Sequence, residues 1–184
     1  MNGVILMKTN IALICLLDNY SKSVSKLLSE RLEMFYVNVD EMVEFELGDE
    51  EHITKTLGDE AGQKYIQESE NKVVKNVAGF ENTVISLNPT TMFSNDNFEI
   101  IANTSYVIYL QIAPKFFEAR AKFSADVIDD LNDICFTDRD KLYVEKSDIV
   151  LNCSTFKEQK AVKKLLKVIN KFFKKLAKEQ KKAN

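Results

Sequence analysis

Lysine and hydroxyl side chains that could bind a phosphate group follow the first apolar segment of the chain. Residues 11–17 are seven apolar residues in a row, which predicts a strand buried on both faces of a parallel sheet. From Ser21 or Lys22 onward, apolar residues recur at helical spacing, which predicts an amphipathic helix. A strand, a tight loop and a helix N-terminus form the frame of a phosphate-binding loop, because backbone N–H groups converge there on an anion.

Two alignments of this segment with the loop motif G-x-x-x-x-G-K-[ST] remain open, and they differ in the lysine position. Ser21 occupies that position in the first alignment. The second alignment keeps Lys22 and Ser23 as the lysine and the hydroxyl, but it needs one extra loop residue. The glycine positions fall on Cys15, Asp18 and Tyr20 in the first alignment and on Leu16 and Ser21 in the second.

The loop segment contains no glycine, although inward-pointing N–H groups require residues with φ > 0 and no obstructing side chain. Asp18 and Asn19 adopt left-handed conformations more readily than other non-glycine residues, so a tight turn can still form. The carboxylate of Asp18 would, however, place a negative charge where a polyphosphate binds. The sequence therefore favours a strand-to-helix turn without a ligand.

Length and composition are those of a globular protein. The chain has 184 residues, of which 45% are hydrophobic and 29% charged, and this predicts one domain with a proper core. Its three cysteines lack C-x-x-C spacing, which suggests neither a disulfide framework nor a zinc site and favours a reducing, cytoplasmic location. The single histidine, His52, has no clustered cysteine or carboxylate partner arranged as a metal site.

Charge is distributed unevenly along the chain. Residues 40–51 contain seven acids and no base. Residues 157–184 contain eleven lysines and two glutamates, a net charge of +9, so the preceding 156 residues carry −12 of the total of −3. Such a basic segment can bind nucleic acid or an acidic membrane. The regular apolar face that ends at Leu176 favours instead a last helix packed on the sheet, followed by a mobile basic tail at 177–184.

Five further segments follow the first helix in an order and spacing that are informative together. They are FYVNVDE at 35–41, GQKYIQESE at 62–70, VISLNPT at 84–90, a strand and helix at 106–120, and RDKLY at 139–143. In that order they resemble parts of the shikimate kinases, whose motifs read Asp-x-Asp, G-E-x-x-F-R-x-x-E, V-I-x-x-G-G-G, a fourth strand with the helix before the lid, and R-x-P-L-Y. The resemblance covers about residues 10–170 and hence the whole architecture.

The resemblance implies a phosphate-loop (P-loop) kinase fold. This fold is a three-layer α/β/α arrangement around a five-stranded parallel sheet of order 2-3-1-4-5 with right-handed crossovers. Residues 1–176 would form a single domain, with a substrate-binding subdomain at about 40–70 and a lid at about 121–138.

The resemblance also implies ATP and Mg²⁺ as cofactors and a hydroxyl of shikimate, or of a similar small hydroxylated acid, as the acceptor. Lys22 would contact the phosphates, Ser23 the metal ion and Arg139 the carboxylate of the substrate. Asp40 would bind the substrate hydroxyls as the catalytic residue. The implied nucleotide-binding positions are Asp18, Asn19, Tyr20, Ser21, Lys22, Ser23 and Arg120, and the implied substrate-binding positions are Asp40, Gln67, Asn88 and Arg139.

Most of these positions lack the residue that the family uses. Asn38 replaces the first acid of Asp-x-Asp, Gln67 replaces the substrate arginine, and residues 88–90 replace the triple glycine. The lid is acidic and has no arginine of its own, whereas a kinase lid normally neutralises the transferring phosphoryl group. The unchanged family residues are Asp40, Arg120 and Arg139.

We therefore predict a degenerate shikimate kinase-like protein, a pseudoenzyme that binds nucleotide weakly or not at all and acts as a binding or regulatory protein. The alternative is an active ATP-dependent kinase. A protein partner and the oligomeric state stay open at this point.

Overall fold

The structure is a computed structural model that describes residues 8–48, 50–89, 92, 94–113, 134–154 and 157–183. The elements within these residues are β1 (Asn10–Ile14), α1 (Asp18–Leu32), β2 (Phe35–Asn38), α2 (Val39–Leu47), α3 (Glu50–Leu57), α4 (Asp59–Ala78), β3 (Thr83–Leu87), α5 (Asn95–Thr104), β4 (Ser105–Ile112), α6 (Ile134–Lys146), β5 (Ile149–Cys153) and α7 (Glu158–Ala183).

The five strands form one parallel sheet in the order β2-β3-β1-β4-β5. β1 lies at its centre, where Ile11 pairs with Val84 of β3 and with Tyr106 of β4. All five β1 residues are buried, and the strand ends at Ile14, three residues before the end of the apolar run at 11–17 from which it was predicted. The predicted fold class and strand order are confirmed. The carboxyl ends of all strands share one edge of the sheet, which is where ligands bind in folds of this kind.

Helices cover both faces of the sheet. On one face, Leu13 of β1 and Leu110 of β4 belong to a core cluster with Leu165 of α7, and α1 contributes to the same cluster. On the other face, Ile85 of β3 packs in a cluster that includes Val74 of α4, with further residues from α2 and α5. The result is the predicted three-layer arrangement. Across the residues that the structure describes, no helix has both the length and the apolar character needed to cross a membrane.

The first helix begins earlier than the sequence pattern predicts. α1 starts at Asp18, with only three residues between it and the end of β1 at Ile14, and not at Ser21 or Lys22. The backbone N–H groups of Tyr20 and Ser21 both donate to the carbonyl of Leu17, so the helical hydrogen-bond pattern is already established there. Residues that were expected to form a loop therefore form the first turn of the helix.

The last helix extends further than predicted. α7 continues to Ala183, seven residues past Leu176. The expected apolar face is buried at Val162, Leu165 and Ile169. The described side chains beyond Leu176, at residues 177–182, are exposed.

Helices α2, α3 and α4 occupy the region where the resemblance implies a substrate-binding subdomain. Gly48 ends the short acidic helix α2 with φ 71°. Gly62 of α4 lies so close to α3 that a Cβ atom at this position would be 2.8 Å from the Cα atom of Thr54. Glycine thus permits the close packing of α3 on α4.

Candidate functional site

The connection from β1 to α1 lies at the ligand-binding edge of the sheet and is too short for a phosphate-binding loop. It consists of residues 15–17, and none of residues 15–21 has a positive φ. Leu17 occupies the N-cap position in an extended conformation without a side-chain cap. A cradle of inward-pointing N–H groups needs left-handed residues. The helix N-terminus is present here, but that cradle is not.

Lys22 is held between two carboxylates at this edge. Its Nζ lies 2.6 Å from Oδ2 of Asp18, one helical turn earlier, and 2.8 Å from Oδ2 of Asp40 on α2. The three side chains are 27%, 29% and 13% exposed, respectively, so solvent screens them only in part. We call this group the Asp18–Lys22–Asp40 cluster.

Asn38 fixes the position of Asp40 within the cluster. The Oδ1 atom of Asn38 accepts a hydrogen bond from the Asp40 N–H at 3.0 Å and so caps α2. The Nδ2 atom of Asn38 donates to Oε1 of Glu41 at 3.0 Å. The residue that replaces the family's first acid therefore has a structural role that directs the second acid, Asp40, toward α1.

Burial and the neighbouring charges shift the pKa values of Asp18 and Lys22. Burial raises the pKa of Asp18 to about 6, the nearby Asp40 adds to the rise, and Lys22 opposes it. Burial by itself lowers the pKa of Lys22, but hydrogen bonds to Asp18 and Asp40 outweigh burial and raise that pKa above its ordinary value. Lys22 thus stays charged at neutral pH and is shared by two acids.

The cluster does not fit the phosphates of ATP. One ammonium group faces two carboxylates, so the three groups together carry no positive charge for an incoming anion. The second oxygen of Asp18, Oδ1, is buried and accepts no hydrogen bond. A phosphate oxygen has no proton to donate to it, so a bound polyphosphate would meet an unsatisfied carboxylate oxygen.

Ser23, the implied metal ligand, forms a hydrogen bond within α1. The hydroxyl of Ser23 donates to the carbonyl of Asn19 at 3.0 Å, one turn earlier on the exposed side of α1. Asp40 on α2 is paired with Lys22. Within the described part of the chain, no group of three or more histidine, cysteine or carboxylate side chains is arranged to hold a metal ion. These donors do not fit Mg²⁺.

Burial distinguishes the two alignments of the loop motif. Tyr20 is 2% exposed and belongs to the core cluster beside α7, while Ser21 is fully buried and its hydroxyl donates to the carbonyl of Leu13 at 3.4 Å. The first alignment would therefore place its lysine position in the core. Lys22, the lysine of the second alignment, is the side chain that reaches the edge of the sheet.

The other predicted site residues lie on separate elements. Gln67 is exposed on α4, and Asn88 is half-buried directly after β3. Arg139 is half-buried on α6. Arg120 and residues 121–133 of the expected lid lie outside the described residues.

Comparison with known proteins decides the family. The family model for shikimate kinase matches residues 22–170. The chain belongs to the shikimate kinase family. The match begins at Lys22, so β1 and the β1–α1 connection precede the matched residues.

Curated relatives and solved structures agree with this assignment. A shikimate kinase of Dehalococcoides mccartyi is 33% identical over 116 residues, 62% of this chain and 64% of the relative. One from Symbiobacterium thermophilum is 29% identical over 116 residues, 61% of this chain and 63% of the relative. The chain thus spans slightly less than two thirds of the length of these relatives.

The structural neighbours share the fold at low sequence identity. The shikimate kinase of Aquifex aeolicus has a TM-score of 0.70 at 24% identity, covering 88% of this chain and 96% of that one. The shikimate kinase from Acinetobacter baumannii in complex with shikimate has a TM-score of 0.72 at 18% identity, covering 90% and 94%.

A second polar network, which the sequence did not reveal, anchors α6 at the same edge of the sheet. Asp140 accepts hydrogen bonds from the Tyr109 hydroxyl at 2.6 Å and from Nε2 of Gln111 at 3.1 and 3.2 Å. Tyr143 donates to the carbonyl of Pro89 at 2.5 Å. Burial and the bond to Asp140 raise the pKa of Tyr109. The i, i+2 spacing of Tyr109 and Gln111 on β4 could have indicated a shared face, but not the partner on α6.

Replacing Asp18 by asparagine should stabilise the protein at neutral pH. The folded protein holds the Asp18 proton up to about pH 6, whereas the ordinary pKa is 3.8. Ionisation of Asp18 therefore lowers the free energy of unfolding, and this loss grows as the pH rises from about 4 to about 6. We expect Asp18→Asn to raise the free energy of unfolding at pH 7 by about 1–2 kcal/mol, after allowance for solvent screening.

Urea denaturation at pH 4 and pH 7 measures this effect. Asp59→Asn is a matched control, since Asp59 also lies in the first turn of a helix but is exposed. A gain for Asp18→Asn that is equal at both pH values, or equal to that of the control, would contradict the burial argument.

Proposed function

We propose that this chain is a degenerate member of the shikimate kinase family that binds nucleotide weakly or not at all and acts as a binding or regulatory protein. The observation that carries the proposal is the pairing of Lys22 with both Asp18 and Asp40 at 2.6 and 2.8 Å. We further propose a cytoplasmic location, which agrees with the free, buried thiols of Cys15 and Cys153.

The carboxylate of Asp18 takes the place of a bound anion. It lies in the first turn of α1, where the helix dipole favours negative charge, and it engages the lysine that the second alignment assigns to phosphate. ATP would have to displace this carboxylate from Lys22 and then remain beside it. Because like charges in partly buried sites repel by several kcal/mol, the cost falls directly on nucleotide affinity.

The alternative function is an ATP-dependent kinase that phosphorylates a hydroxyl of shikimate or of a similar acid. The family match over residues 22–170 supports it, as do the retained Asp40 and Arg139. In that case Lys22 would leave at least one carboxylate when Mg·ATP binds, and the first turn of α1 would open.

Calorimetric titration with Mg·ATP, with and without shikimate, tests the proposal. We expect no saturable heat at micromolar nucleotide in either titration, because the cluster offers no net positive charge to the phosphates. Binding of shikimate without nucleotide would support a binding protein. A dissociation constant for Mg·ATP of about 1 µM, equivalent to about −8 kcal/mol, would favour the kinase alternative.

A further inference from the structure

A groove lined by lysines and apolar side chains lies beside the amino end of β5, whereas the Asp18–Lys22–Asp40 cluster lies at the carboxyl edge of the sheet. It has a volume of about 740 Å³ and runs between α7 and the beginning of β5. Ile149, Val168 and Phe172, which are buried or half-buried, form its apolar part. We call it the basic groove.

The lysines of the basic groove form a stripe along α7. Lys167, Lys171, Lys174 and Lys178 recur at helical spacing on one side of the helix and line the groove. The acid in the groove, Asp148, accepts a hydrogen bond from the Val107 N–H at 2.8 Å and lies 3.6 Å from Nζ of Lys8. Its charge is therefore already engaged, and the stripe remains strongly positive.

The opposite combination occurs on α2. Phe45 is 91% exposed, although exposure of a large aromatic side chain to water is unfavourable. Glu41 lies one helical turn before it on the same side of α2, Glu44 directly precedes it, and both glutamates are exposed. We call these three residues the Phe45 face.

The two surfaces are complementary in charge and polarity. The Phe45 face has an apolar centre with acidic neighbours, and the basic groove has an apolar part with basic neighbours. We infer that the basic groove of one molecule binds the Phe45 face of a second copy of this chain. An aromatic side chain that enters a pocket and is surrounded by opposite charges is a common form of interface hot spot.

A second copy accounts for the surface better than a nucleic acid or a membrane does. The residues before 157 carry −12, which repels extended polyanions from most of the molecule. The core occupies Val162, Leu165 and Ile169 of α7, so only the part of its apolar face around Phe172 and Phe173 is open to lipid.

The positions of the two surfaces make the contact head-to-tail. α2 follows the carboxyl end of β2, and the groove lies beside the amino end of β5. β2 and β5 are opposite edges of the sheet. One copy therefore has its two surfaces at opposite corners, and repetition of the contact gives a ring or an open chain of molecules.

Sedimentation velocity over a range of protein concentrations tests this inference. At about 0.1 M salt we expect the average mass to rise with concentration, and at about 1 M salt, where screening is strong, we expect mainly monomer. Phe45→Ala should weaken association at least about tenfold. Phe35→Ala, at another exposed phenylalanine (73%), is the matched control and should leave association unchanged.

Charge reversal supplies the decisive experiment. The double variants Lys171→Glu/Lys174→Glu and Glu41→Lys/Glu44→Lys should each remain monomeric, because every contact would join like charges. An equimolar mixture should associate again, since the first variant keeps an intact Phe45 face and the second keeps an intact groove. Thermal melting of each variant checks that it is folded.

Several results would overturn the inference. They are a monomer at all concentrations in low salt, a mixture of the folded charge-reversed variants that stays monomeric, and a Phe45→Ala variant that associates like the unmodified chain. Binding of anionic phospholipid vesicles or a single-stranded oligonucleotide by a chain that stays monomeric, lost in Lys171→Glu/Lys174→Glu, would assign the groove to that ligand instead.

Discussion

A variant that combines Asp18→Gly, Asn38→Asp and Gln67→Arg is expected to gain affinity for Mg·ATP and still to turn over shikimate at well below about 1 per second, the low end of typical kinases. Removal of the Asp18 carboxylate frees Lys22 from one of its two partners. Phosphoryl transfer depends on positioning and charge stabilisation by several groups at once. Because such groups act as a unit, rebuilding some of them recovers little of the rate.

Two features of the structure would keep the rate of shikimate phosphorylation low in this variant. The connection before α1 would remain three residues long, so no cradle forms around the phosphates. Aspartate at position 38 can still cap α2, but it adds a third acid beside Glu41 and Asp40. A coupled assay of ADP release gives the rate, with Asp59→Gly replacing Asp18→Gly in the control variant. Shikimate-dependent turnover of about 1 per second in the rebuilt variant would contradict this expectation, because these three substitutions would then be sufficient for kinase turnover.

Replacing Lys22 by methionine should destabilise the protein strongly at high pH and weakly at low pH. At pH 8 the carboxylates of Asp18 and Asp40 would face each other without a cation. We expect a loss of about 1–3 kcal/mol, below the value for a fully buried pair because both acids keep some contact with solvent. Near pH 5 the loss should shrink, since Asp18 with its pKa of about 6 is then largely protonated.

Urea denaturation of Lys22→Met at pH 5 and pH 8 measures this difference. Lys26→Met is the matched control, because Lys26 lies one turn further along α1 and is exposed. Equal stability of the two variants at both pH values would mean that Lys22 does not neutralise the two acids.

Apolar patterns in the sequence predicted the sheet well. β3 spans Thr83–Leu87, and the VISL of the segment at 84–90 lies within it because Asn88 and Pro89 end the short apolar run. The predicted start of α1, at Ser21 or Lys22, was wrong by three or four residues, because the helix begins at Asp18. Asp18 and Asn19 are typical of turns, but an acid in the first turn of a helix is equally favourable, so sequence alone does not decide between them.

The candidate site was predictable only in part. The i, i+4 spacing of Asp18 and Lys22 is sufficient to predict their ion pair. The contact of Asp40 with Lys22 depends on how α2 packs beside α1, and β2 and β1 are not even neighbours in the sheet. Long-range contacts of this kind, like that of Tyr109 with Asp140, follow from the tertiary arrangement and leave no local pattern.

We infer that Asp18 and Asp40 hold Lys22 in ion pairs. The second alignment assigns this lysine to the phosphates of ATP, so the ion pairs would keep it from binding them. The most direct test is a coupled assay of ADP release by the unmodified chain with Mg·ATP, in the presence and absence of shikimate. We predict that shikimate does not raise the rate above background. Shikimate-dependent turnover of about 1 per second or faster would contradict this inference, because Lys22 would then have to leave at least one carboxylate during each cycle.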